Sequence, residues 1–181
     1  MPNKPRKTPT ARAGRPAGRD LSSIARIALA CAAFWGAALW LVSRVPAVEA
    51  AGIRLTTASV RALLALTGMR VEQIGHVLTA GGTGIEIAPD CSPHLPYLIF
   101  AGAVIASPAT WRQRLAGLAA GALALHAFNV ARILVLFAVL ASRSAWFDFA
   151  HVYLWQVGTI VAVLAAFLLW LEWTGRRPVP A

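Results

Sequence analysis

Three residues able to do chemistry stand in otherwise apolar sequence: Cys91 in DCSPHLPYLIF, Arg132 in HAFNVARILVL and His151 in FAHVYLWQ. An ionised thiol is a strong nucleophile, and a nearby imidazole or guanidinium favours the thiolate. Histidine can take the thiol proton and return it to a leaving amine. Arginine stays charged, so it suits stabilisation of a tetrahedral oxyanion. Together the three fit acyl transfer through a thioester, the reaction of a cysteine peptidase or transpeptidase. Insertion scales set about 2.5–3.5 kcal/mol against an arginine at membrane depth, so Arg132 inside a hydrophobic run calls for a functional reason.

Arg132 has companions. His126, Asn129 and Arg132 follow one another at i, i+3 and i+6 and share one face of a helix. Such a stripe is expected to point into a bundle rather than at lipid. Asn129 could hold the guanidinium or line the site, Ser92 adjoins the cysteine, and His126 fits a supporting role. Cys91 and His94 have Cys-x-x-His spacing, but no second pair of ligands accompanies them, so neither a metal nor another cofactor is expected. Taken singly, each residue has an ordinary reading: a buried thiol, an arginine at a headgroup, an interfacial histidine.

The surrounding elements have to bring these residues to one level. Of the 181 residues 58% are hydrophobic and only 13% charged, against about 25% charged in soluble domains. The expected fold is an all-α polytopic membrane protein with about four transmembrane helices and a small extracytoplasmic insertion made of a helix and a β-hairpin. Residues 1–20 carry six basic side chains against Asp20 and read as a disordered cytoplasmic tail, with no nucleic-acid role. The first span falls within 21–45, where Ile24–Val42 is apolar and holds Cys31 as a small core residue. A signal peptide cleaved near Ala50 is the rival reading of that run. Residues 46–90 form the extracytoplasmic segment, with a short helix over Ala58–Leu66 and strands at Val71–Leu78 and Ile85–Ala88 around a Gly-rich turn. That turn lacks the Lys-Ser/Thr of a phosphate loop. Residues 91–173 form a three-helix transmembrane core with spans at about Pro93–Ser107, Leu115–Leu140 and Ala150–Trp170, and 174–181 form a cytoplasmic tail.

The basic residues orient the chain. The tail, Arg112, Arg114, Arg176 and Arg177 fall on one side. Arg44, Arg54, Arg61, Arg70 and Arg143 fall on the other, interspersed with acids. Both termini are then cytoplasmic in the inner membrane. Cys91 and His151 open the second and fourth spans from outside, and Arg132 lies roughly 25 Å along the third, so all three reach the outer boundary.

The order Cys91-Ser92, then Asn129-Val130-Ala131-Arg132, then an aromatic segment Phe147-Asp148-Phe149-Ala150-His151 resembles the exosortase/archaeosortase family over about residues 50–172. The resemblance implies a multi-pass membrane enzyme that cleaves C-terminal sorting signals of exported proteins. Cys91 would be the nucleophile, His151 the acid/base and Arg132 the oxyanion stabiliser. The family usually has glycine after the Cys-Ser pair, where this chain has Pro93. The implied partner is an exported protein whose C-terminal tail combines a short motif, an apolar helix and a basic end, met within the lipid bilayer. The alternative is a catalytically inactive membrane scaffold or partner-binding subunit of the same fold. A transporter would call for broken helices or internal repeats, and the chain has no repeat.

Overall fold

The computed structural model of the chain describes residues 29, 32–38, 40, 44–142, 146–149 and 153–175. The expected tail 1–20, much of the first expected span 21–45 with Cys31, the histidine His151 and residues 176–181 lie outside the described residues. Residues 32–38 are helical. Phe34 and Trp35 pack close against Gly102, where an added Cβ would meet the Phe34 ring at 3.1 Å.

The first helix described in full is α1, Pro46–Leu66. It is much longer than the expected Ala58–Leu66. Pro46 opens it, where a missing N–H is harmless, and Glu49 lies in the first turn, where a negative charge meets the positive end of the helix dipole. Ile53, Thr56, Thr57, Val60 and Leu64 are its buried residues, one stripe at helical spacing.

A three-stranded antiparallel sheet follows: β1 (Val71–Ile74), β2 (Val77–Ala80) and β3 (Thr83–Glu86), in that spatial order. This corrects the expected two-stranded hairpin. The first expected strand, Val71–Leu78, folds back on itself at Gly75, whose φ of +61° only glycine adopts readily. Ile74 therefore pairs with Val77, and Ala80 pairs with Thr83 across a second two-residue loop. Gly81 and Gly82 there both have positive φ, as tight hairpin loops demand. Leu78 and Ala80 alternate along β2 and are buried. They join Ile53, Val60 and Leu64 of α1, Ile87, Cys91, and Val130, Ile133 and Phe137 of a later helix in one apolar core.

After the sheet a single 3-10 turn, Pro89–Cys91, leads through Ser92 and Pro93 into α2, His94–Ala106. The long helix α3, Trp111–Ala141, begins with a reciprocal cap: the Thr110 side chain accepts from the Gln113 backbone N–H, and the Gln113 side chain accepts from the Thr110 N–H at 2.8 Å. A helical turn α4, Phe147–Phe149, precedes α5, Trp155–Gly175.

Helices α2, α3 and α5 pack on one another. Their second core contains Phe100, Val104, Leu125 and Trp170. Gly117 and Gly121, four apart on α3, lie directly under the rings of Trp170 and Phe100, so the helices approach closely where no side chain intervenes. The Trp170 indole N–H donates to the Gln113 carbonyl at 3.1 Å.

Among the described residues two helices, α3 and α5, are long and apolar enough to cross a membrane. Of the four expected spans these are the third and the fourth; most of the first lies outside the described residues. The expected second span is the 13-residue α2, about 20 Å long and shorter than the roughly 30 Å of a bilayer core. Prolines at 93 and 96 set where its helix can begin, and the chain reaches it through the 3-10 turn that ends in the buried Cys91. Helix α5 buries only Trp170 and exposes Val157, Ile160, Val161, Leu164 and Leu168, an apolar surface larger than a water-facing helix ordinarily carries.

Candidate active site around Cys91

Cys91 ends the 3-10 turn and precedes α2 by two residues. The turn is fixed by its own backbone: the Cys91 N–H donates to Ala88 and the Ser92 N–H to Pro89, both at 2.9 Å. Two elements then clamp it. On one side lies α1, where Gly52 leaves room for the Ser92 hydroxyl; a Cβ at Gly52 would lie 2.5 Å from that oxygen. On the other side lies α3. The Asn129 amide donates to the Cys91 carbonyl at 2.6 Å, and Arg132 Nη2 lies 3.9 Å from Cys91 Sγ. Cys91, Ser92 and Asn129 are buried, whereas Arg132 is half-buried.

The geometry explains why the stripe on α3 has its spacing. Asn129 and Arg132 are one helical turn apart and grip the two ends of the same residue, carbonyl and sulfur. His126, a turn earlier, faces α1 instead, its Nε2 3.0 Å from Ser59 Oγ. The structure thus brings Cys91, Ser92, Asn129 and Arg132 together and puts His126 on the adjoining contact between α1 and α3. His151 lies outside the described residues; of the residues near it in sequence, Phe149 and Tyr153 have their rings tilted by 31° with centroids 5.9 Å apart.

Chemically the arrangement offers a thiol with a fixed cation beside its sulfur. The N–H groups of Cys91 and Ser92 are already used by the turn, and Pro93 has none. Charge developing on a reacting oxygen would therefore be met by a side chain, and Arg132 is the one in place. No group of three or more His, Cys, Asp or Glu side chains that could hold a metal occurs among the described residues.

The residues that sequence reading missed lie on α1. Gly52, Thr56 and Ser59 are spaced i, i+4 and i+7, a small and polar face opposite the stripe on α3. That periodicity was the available signal, because small hydroxyl side chains on an otherwise amphipathic helix mark a close polar contact. Between α1 and α3 an open groove of about 430 Å³ is lined by Ser59, Leu63, His126, Val130 and Leu134, but neither Cys91 nor Arg132 contributes to its walls.

No protein-family model, curated protein or solved structure matches this chain.

Proposed function

We propose that this protein is a membrane cysteine peptidase or transpeptidase of exosortase-like type, acting on exported proteins through a thioester at Cys91. The observation that carries the reading is the Arg132 guanidinium 3.9 Å from Cys91 Sγ, held across 41 residues of sequence while Asn129 fixes the backbone of the same cysteine. A packing cysteine requires neither neighbour. In the proposed reaction His151 takes the Cys91 thiol proton, the sulfur attacks the scissile carbonyl, Arg132 stabilises the oxyanion, and collapse breaks the carbon–nitrogen bond as His151 returns that proton to the leaving amine. The acyl group is left as a thioester on Cys91.

The substrate is an exported protein with a C-terminal apolar tail that lies in the bilayer beside the spans. The proposed topology has four spans in the cytoplasmic membrane, both termini inside and the site facing outward. In it the segment 21–45 supplies the first span, and α2 with the turn before it supplies the second. Non-helical backbone at membrane depth is tolerated where protein buries it, and Ile87, Cys91 and Ser92 are all buried by α1, the sheet and α3.

A second reading, an inactive scaffold with the same fold, draws on the burial of Cys91, which is 8% exposed. Co-expression with a tailed substrate from the same genome separates the two. Wild type is expected to shorten the substrate, and Cys91→Ala, Arg132→Ala and His151→Ala, present at equal level, are expected to leave it intact. Normal processing by Cys91→Ala would falsify the catalytic reading and leave the scaffold.

A further inference from the structure

We infer that the outer edge of β3 is where the substrate backbone docks: the extended segment before its apolar tail adds to the sheet as a fourth strand, parallel to β3, with its carboxyl end at Cys91. The inference rests on the peptidase reading above and says how that site holds its substrate.

β3 is an edge strand, because the spatial order is β1-β2-β3. Which of its backbone groups face outward follows from the register. The Ile87 N–H donates to the His76 carbonyl at 2.9 Å. These two residues stand opposite each other in the register that sets Glu86 against Val77. Residues along an antiparallel pair alternate between bonded and non-bonded positions. Ile85 and Thr83 therefore direct their N–H and C=O groups to Leu78 and Ala80, and Gly84 and Glu86 turn theirs away from the sheet. Both residues are exposed, and no backbone partner on that outer side occurs among the described residues.

Proteins usually guard such an edge with proline, lysine or a bulge. The sequence Thr-Gly-Ile-Glu has neither residue, and its register with β2 runs unbroken. Its one charge, Glu86, stands at the end of the strand. A Cβ at Gly84 would meet nothing closer than Thr79 Oγ1 at 3.6 Å, so a second backbone can come close there.

The two edges of the sheet are not equivalent. β1 and β2 pack on α1, whereas β3 packs on α3. Arg132 of α3 lies beside the Cys91 sulfur, so the β3 edge is on the side to which that sulfur turns. On the β1 edge the Gln73 side chain is already engaged by the Arg61 guanidinium and the Gly75 carbonyl.

Chemistry decides the direction of the added strand. The acyl group that Cys91 receives is at the carboxyl end of the segment before the cut. β3 runs towards Cys91, which follows Glu86 by five residues. A segment parallel to β3 brings its carboxyl end to the sulfur, and an antiparallel one would bring its amino end. Five extended residues reach at most about 18 Å, so the paired segment ends within about five residues of the scissile bond. Main-chain bonds of this kind give affinity without reading side chains.

The test uses the full-length Cys91→Ala protein in detergent, so that binding is read without cleavage. The probe is a synthetic peptide copying the apolar tail of an exported protein from the same genome and the segment before it. That segment is N-methylated at alternate residues, either in one frame or in the frame shifted by one. One frame is expected to bind about tenfold more weakly than the unmodified peptide and the other to match it, because only alternate residues donate to β3. Equal affinity in both frames, no measurable binding included, would overturn the edge assignment. Glu86→Pro removes an outward N–H that the sheet does not use, and Gln73→Pro does the same on β1. Glu86→Pro is expected to weaken binding about tenfold, while Gln73→Pro and Glu86→Ala keep it. Loss in Gln73→Pro as well marks a damaged sheet, and loss in Glu86→Ala marks a side-chain contact; either result overturns the proposal. Processing of the tailed substrate by Cys91→Ala would instead sink the thioester reading, while the binding results still decide the edge.

Discussion

The Asn129 side chain donates to the carbonyl oxygen of Cys91 at 2.6 Å, a buried bond between residues 38 apart in sequence. It ties the short turn carrying the thiol to the middle of the longest helix. Without it the turn would keep its two local backbone bonds, its contact with α1, and on α3 only Arg132 at the sulfur and apolar packing around Cys91. Replacing Asn129 with alanine leaves a buried carbonyl without its donor, a loss of about 1–3 kcal/mol. Asn129→Asp is expected to be worse, because an acceptor-only carboxylate then faces a carbonyl oxygen. Thermal unfolding in detergent should rank wild type above Asn129→Ala and Asn129→Asp lowest. Equal stability of all three would show that the turn is held by other contacts.

Arg132 is expected to matter for turnover more than for folding. Its charge lies beside the sulfur, and the N–H groups of Cys91 and Ser92 are committed to the turn. Loss of a single oxyanion donor typically lowers kcat by about 10²–10³. Arg132→Ala should show a fall of that size in substrate processing at unchanged protein level. Arg132→Lys keeps the charge but loses the planar fork, so only part of the activity should return. Processing by Arg132→Ala within twofold of wild type would remove the arginine from the mechanism.

His126 serves as a control for the same stripe. Its described partner is Ser59 on α1, not the cysteine. Interhelical hydrogen bonds of this kind in membranes average about 0.6 kcal/mol. His126→Ala should therefore lower the unfolding temperature slightly and leave the processing rate within a few-fold of wild type. A loss as deep as that of Cys91→Ala would move His126 from the helix contact into the chemistry.

Much of the site could be read from residue types and spacing, because a polar residue in an apolar helix has few places to go. His126, Asn129 and Arg132 share one helical face by arithmetic alone, and each meets a polar partner within reach of that face. Helix α2 was also legible, since Pro93 and Ser107 bracket a continuous apolar run. The third strand was not: Gly75 and His76 look like ordinary strand residues until φ at Gly75 is positive, and composition does not report φ. Helix α1 was underestimated for a related reason. Its first half buries little beyond Ile53, so its periodicity is faint, while Pro46 and Glu49 mark its start only once the helix is known to continue. The roles of Gly52 and Thr56 depend on which turn packs against them, and that is a tertiary fact. His151 lies outside the described residues, so its place rests on the sequence pattern.

Gly52 provides the sharpest test of how tightly the cysteine turn is seated. An added Cβ would fall 2.5 Å from Ser92 Oγ, closer than such atoms normally come, so the alanine methyl and the serine hydroxyl cannot both keep their places. The backbone of α1 is helical at this point and accepts alanine without strain, which isolates the effect to that contact. Overpacking of this kind costs about 1–3 kcal/mol, more than the gain in helix propensity of roughly 1 kcal/mol from glycine to alanine. Gly52→Ala is therefore expected to lower stability, with processing falling because the turn carrying Cys91 is displaced. Ser92→Ala removes the clashing oxygen. In the double variant much of the loss should return, giving a coupling between the two positions of about 0.5–3 kcal/mol, as residues in contact show. Additive effects in that cycle would mean that Gly52 and Ser92 do not touch, and that the turn is seated against α1 in some other way.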